Sequence, residues 1–146
     1  MKIDIKALKQ ETHYTCLPAC IRILLNYLGN DKTESDIAYS CHTTKAGTFL
    51  RNAVRAIQNF GYEVAQIQEG TLDDLFQSIL HQEPVIVILG VERLPYGDFG
   101  THAVVVIGFQ EKDILFIEPA SGKEVQMDML ESPHFLHEIP AKNMRE

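Results

Sequence analysis

A chain of 146 residues, 45% of them apolar, with 9 glycines and 6 prolines, has the size and composition of one ordinary globular domain. Residues 1–146 are therefore expected to form a single domain, burying roughly 70% of the unfolded surface. A net charge of −7 argues against nucleic acid as a partner, because that affinity needs clustered Lys and Arg. Three cysteines, an odd number, do not suggest a disulfide framework, and the start Met1-Lys2-Ile3-Asp4-Ile5-Lys6 lacks the apolar core of a signal peptide. The longest apolar stretches, 84–91 and 103–109, are too short to span a membrane. The chain reads as a soluble, cytoplasmic protein with reduced thiols. No G-x-x-x-x-G-K-[ST] run occurs, which excludes a P-loop nucleotide site.

Leu17, Ile21, Leu24 and Leu28 recur at helical spacing and predict a helix from about Cys16 to Leu28, ended by Gly29. Pro18 belongs in the first turn of that helix, where its missing N–H costs nothing, so Cys16 falls at the helix N-terminus. Thr33, with Asp36 three residues on, caps a short second helix. A third runs from about Thr48 to Phe60, burying Phe49, Ala53, Val54, Ile57 and Phe60, exposing Arg51, Arg55 and Gln58, and stopping at Gly61. Thr71 and Asp74 form a capping-box pattern that opens a fourth, reaching about His81.

Strands dominate the second half. Val85 to Leu89 is short and β-branched, with Pro84 at its start. His102 to Phe109 and Ile114 to Glu118, separated by the polar run 110–113, read as a hairpin, and a further strand spans about Gly122 to Met127. Helices first and antiparallel strands after make an α+β arrangement.

Cys16 is the candidate nucleophile. Cysteine chemistry uses the thiolate, and a helix N-terminus favours it through partial positive charge and unpaired N–H groups. Cys20, one turn below, reads as packing: a metal site would need a second ligand pair, and Cys41-His42 is too cramped to supply one. Cys41 receives no role. Among six histidines (His13, His42, His81, His102, His134, His137), His102 stands out because it opens an apolar strand, where a titratable ring needs a partner or a cleft.

Glu118 ends the next strand and is placed to orient the base. Side chains alternate along a strand, so His102 and Glu118 share a face only if even-numbered residues pair with even. An odd-length loop does this; a two- or four-residue loop without a bulge would put the two on opposite faces. Gln10, six residues before Cys16, is able to fold back and offer its amide, with the Cys16 N–H, to a developing oxyanion. The segment Leu94-Pro95-Tyr96-Gly97-Asp98-Phe99-Gly100 either flanks the cleft and grips a peptide or packs beneath its own loop.

Together these positions resemble the C39 peptidase family, papain-like domains that cleave leader peptides from bacteriocin and related precursors. The family pattern has Gln, then Cys six residues later in an Asp-Cys-Gly-x-Ala-Cys segment, then an apolar helix ending Tyr-Tyr-Gly. Here the corresponding stretch is Gln10-Glu-Thr-His-Tyr-Thr-Cys16-Leu-Pro-Ala-Cys20, ending Tyr27-Leu28-Gly29. Gly47-Thr48 and Phe60-Gly61 also fit, the family's His-x-Val-Val-Val matches His102 to Val106, and its Asp-Pro-x-x-Gly looks like Glu118-Pro119-Ala120-Ser121-Gly122. The resemblance covers about residues 8 to 125. Leu17-Pro18 replaces the Gly-x after the nucleophile, Thr15 stands where an acid often precedes it, and Glu118 replaces aspartate.

The resemblance implies a papain-like fold, with N-terminal helices packed on a C-terminal antiparallel sheet. It also implies cysteine peptidase activity through Cys16, His102, Glu118 and Gln10, without metal or organic cofactor. The implied substrate is a peptide or protein, with leader or precursor processing the related task. Family relatives often sit at the front of an ABC exporter, so association with an exporter is a further expectation. Two alternatives remain open: a non-catalytic C39-like peptide-binding module, and an acyltransferase using the same triad.

Overall fold

A computed structural model describes residues 1–64, 67–68, 71–90, 101–128 and 135–140. Four helices alternate early with little sheet: α1 (Cys16–Tyr27), α2 (Glu34–Ser40), α3 (Leu50–Asn59) and α4 (Leu72–Leu80), with β1 (Ile67–Gln68) before α4. The strands β2 (Val85–Gly90), β3 (Thr101–Gln110), β4 (Asp113–Glu118), β5 (Lys123–Asp128) and β6 (Phe135–Pro140) follow. Among the described residues they build a six-stranded sheet of order β1-β6-β2-β3-β4-β5, every pairing antiparallel. The α+β, papain-like architecture expected from the sequence is the one observed.

The helices start and stop where local chemistry dictates. Thr33 Oγ1 accepts from the Asp36 N–H at 3.1 Å, and Thr71 and Asp74 form a reciprocal capping box. Gly29 and Gly61, just past α1 and α3, hold φ of +87° and +101°, which a side chain would resist. One detail of α3 departs from expectation. It begins at Leu50, so Phe49 is its cap rather than part of its buried stripe; the ring is 69% exposed, under the Arg51 guanidinium at 5.3 Å. Val54 and Phe60 are only partly buried, and Ala53, Ala56 and Ile57 carry the packing.

α1 packs on β3 and β2 with Ile21, Leu24 and Leu25 sealed from solvent, each worth about 1.5–3 kcal/mol in burial. Ala103 to Phe109 are buried without interruption, so β3 is covered on both faces. α4 adds to the cover through Phe76, stacked on Phe109 at 3.9 Å.

The β3–β4 hairpin decides what the site can be. Gln110 pairs with Asp113, leaving a two-residue loop, Glu111-Lys112, with Glu111 at φ 55°. Near the turn, even residues therefore oppose odd ones, as Gly108 opposes Leu115. That register would have set His102 and Glu118 on opposite faces. The register shifts between Val106 and Gly108: one extra residue, Ile107, is inserted, and beyond it Val106 opposes Phe116 and Val105 opposes Ile117. Continuing that register sets Glu118 opposite Val104 and diagonal to His102, on one face.

The bulge has its own support. β2 begins at Val85, opposite Val106, so β3 runs past its neighbour there. Residues 1–3 take the vacated edge: the Ile3 N–H donates to Ile107 O at 2.8 Å, the Phe109 N–H donates to Met1 O at 2.9 Å, and Lys2 bridges Gly108. A Cβ on Gly108 would stand 2.9 Å from Lys2 Cα, so the position accepts only glycine without displacement.

Candidate active site

Cys16 opens α1 and is only partly buried, whereas the three residues after it are sealed. Thr15 occupies the cap position yet makes no side-chain cap. Its hydroxyl turns away to the Glu34 carboxylate at 2.9 Å. The first-turn N–H groups are thus left for other acceptors, and that of Leu17 helps to favour the Cys16 thiolate.

His102, the second residue of the apolar strand β3, is the side chain that most favours the Cys16 thiolate. Burial alone pushes the Cys16 thiol up. The His102 hydrogen bond, the Ala103 N–H, the imidazolium charge and the Leu17 N–H together outweigh it and hold the thiol below its ordinary 9.0. Burial pulls the His102 imidazole down. Its hydrogen bonds to Cys16 and Glu118, with the negative charge of each, raise it from 6.5 to about 9. The two shifts oppose each other in direction and belong to one coupled pair, each favouring the charged form of its own group.

Glu118, 5% exposed at the end of β4, lies 2.6 Å from His102 Nε2 through Oε1. A carboxylate accepts, so Nε2 carries the hydrogen and the other ring nitrogen, Nδ1, is the one left for Cys16. The Ala120 N–H also donates to Glu118 Oε1, at 3.0 Å, which fixes the carboxylate in its turn. The added methylene relative to aspartate is accommodated with hydrogen-bond contact kept.

Gln10 is tied to the same corner: its N–H donates to Pro119 O at 2.8 Å, one residue past Glu118. Its side-chain Nε2 donates to Thr12 O at 2.7 Å. An amide NH₂ has two hydrogens, so one donor remains. Gln10 Oε1 is buried with no hydrogen-bond partner among the described residues.

The remaining cysteines behave as packing. Cys20 is fully buried and its thiol is driven well above 9.0, first by burial and then by nearby negative charge; burial pushes Cys41 up to about 12. All three thiols are free. The segment 94–100 lies outside the described residues. Glu34 is a residue that sequence reading missed. It is 2% exposed at the start of α2 and accepts from the Glu11 N–H at 2.7 Å as well as from Thr15. An acid in a first helical turn reads as solvated, and nothing in the spacing marks this one as buried. A half-open depression of about 200 Å³ adjoins it, lined by Glu11, Tyr14, Thr15, Glu34, Ser35 and Tyr39 among others.

Solved structures share this architecture. The peptidase domain of Streptococcus ComA, a bifunctional ABC transporter of a quorum-sensing pathway, superposes with a TM-score of 0.73 at 20% identity, covering 92% of this chain and 95% of that one. A Bacillus anthracis protein assigned as a C39-like peptidase gives 0.78 at 12% identity, over 100% and 98%. A double-glycine-motif protease of an AMS/PCAT transporter, solved with its leader peptide, gives 0.72 at 17% identity, over 94% and 91%. At these identities the likeness speaks for the fold. No curated protein sequence matches. Among the described residues no helix is long and apolar enough to cross a membrane. The model of the Peptidase_C39 like family matches residues 2–135, nearly the whole length, and the chain therefore belongs to that family.

Proposed function

We propose that this chain is a single-domain cysteine peptidase in which Cys16 attacks, His102 carries the proton, Glu118 orients the ring and Gln10 helps bind the oxyanion. The observation that carries this reading is the His102–Glu118 hydrogen bond at 2.6 Å, with His102 also holding the Cys16 thiol below its ordinary value.

The thiolate adds to the scissile carbonyl carbon, and the carbonyl π electrons move onto oxygen. The Cys16 N–H and the free hydrogen of the Gln10 amide are the donors for that oxyanion. As the C–N bond breaks, the His102 imidazolium gives its proton to the leaving amine, and a thioester remains. Water then attacks with His102 as base, the acid product leaves, and the thiolate is restored. No step requires a metal or an organic cofactor.

The substrate class is a peptide. The leader-peptide complex of the AMS/PCAT transporter protease makes a double-glycine leader the first candidate. Association with an exporter, on its cytoplasmic face, is the matching proposal for partner and place, supported by the transporter origin of the ComA and AMS/PCAT domains. The test is cleavage of a panel of precursor peptides, with and without a Gly-Gly motif, by the wild type and Cys16→Ala. Cleavage that Cys16→Ala abolishes is expected; retention of all activity in that variant overturns the reading.

A further inference from the structure

A buried carboxylate that touches no reacting atom grips both ends of the segment joining Gln10 to Cys16. Glu34 Oε2 accepts from the N–H of Glu11, which follows Gln10, and from the hydroxyl of Thr15, which precedes Cys16. Thr15 is itself 3% exposed. Its single hydroxyl proton goes to the carboxylate, so the Thr12 hydroxyl, 2.8 Å away, donates to Thr15 Oγ1. Thr12 also holds the glutamine, because its carbonyl accepts from Gln10 Nε2 at 2.7 Å. The chain of contacts thus runs from α2 to the amide expected to meet the oxyanion. Glu34 Oε1 has no hydrogen-bond partner among the described residues, so both gripping bonds fall on one oxygen.

We propose that Glu34 is a positioning residue for the oxyanion site, holding the Gln10 amide at a fixed separation from Cys16. This rests on the peptidase reading given above. A carboxylate oxygen accepts from an N–H and a hydroxyl more strongly than a neutral amide oxygen would. Its influence differs from that of Glu118: Glu34 acts on the carbonyl oxygen's side of the reaction, and Glu118 on the thiolate–imidazolium pair.

That difference gives the experiment. Iodoacetamide alkylation of Cys16 is a displacement at saturated carbon and needs no oxyanion donor. Capture of a peptide aldehyde forms a tetrahedral adduct and does. Both are measured, with peptide hydrolysis, in the full chain carrying Glu34→Gln, Gln10→Ala or both. Expected for Glu34→Gln are an unchanged alkylation–pH profile, aldehyde affinity and kcat reduced on the order of 10²-fold, and KM nearly constant. The double variant should be no worse than Gln10→Ala alone. An altered alkylation profile, or additive losses in the double variant, overturns the assignment and leaves Glu34 as general scaffolding. A wild type whose Cys16 alkylates at low pH yet neither captures aldehyde nor cleaves peptide overturns the peptidase reading, and this inference with it.

Discussion

His102 Nε2 and Glu118 Oε1 meet at 2.6 Å only because a bulge at Ile107 reverses the side-chain parity of the hairpin that carries them. The two-residue turn by itself would have faced them apart.

Replacing the acid should therefore be felt first at the imidazole. In Glu118→Gln the ring loses its negative partner, and the His102 pKa should fall from about 9 toward 6.5. kcat/KM is expected to drop on the order of 10²-fold, the lower range for positioned acid–base groups. NMR titration of His102 alongside kinetics checks this; an unmoved titration midpoint would separate Glu118 from the base.

The pH window follows from the same pair. Cys16 titrates below 9.0 and His102 near 9, so the thiolate–imidazolium form lies between them. Activity should rise as Cys16 deprotonates and fall near pH 9 as His102 loses the proton owed to the leaving amine. In stability the sign is that of a raised histidine: the imidazolium contribution is complete below 6.5 and is lost as pH rises through about 9. A profile of kcat/KM that only climbs into alkali would contradict the pair.

Alkylation should discriminate among the three thiols. Cys16 is expected to react with iodoacetamide at neutral pH, while Cys20 and Cys41, buried and shifted upward, stay unmodified until the chain unfolds. Peptide mass mapping after a timed pulse reads this directly. Equal labelling of Cys16 and Cys41 is the adverse result.

Gly108→Ala probes the bulge. The new Cβ meets the backbone of Met1 and Lys2, and relief requires residues 1–3 or β3 to shift. The expected cost is about 1–3 kcal/mol in urea unfolding, with activity falling further than stability accounts for because the Glu118 register is disturbed. Full activity at full stability would deny the bulge its role.

Several parts of this molecule were legible in the chain itself because they depend on neighbours a few residues away. Pro18 announces the start of α1 and so exposes Cys16; Thr33–Asp36 and Thr71–Asp74 announce α2 and α4. The expected companions His102 and Glu118 also lie together. What stayed hidden is long-range. The bulge depends on residues 1–3 docking more than 100 positions away, and no local pattern encodes that. Glu34 is inconspicuous until folding buries it under Thr15. Phe49 leaves the buried stripe because α3 starts two residues later than its spacing suggests, which turns a core position into a cap. β6 has no local signature of its own, since its pairing with β2 joins segments roughly fifty residues apart.

The first ten residues touch the hairpin at two places. Residues 1–3 fasten the bulge, and at the other end Gln10 bonds Pro119 while Lys9 packs within 3.1 Å of where a side chain on Gly122 would begin. This segment therefore works as a clasp across β3 and β4, closed at the two points that aim Glu118. Opening it, by a nick near Lys6 or a bulky graft ahead of Ile3, should disarm the hairpin and unseat Ile3 from the core while the packing of α1 on β3 stays, so that loss of function precedes loss of shape.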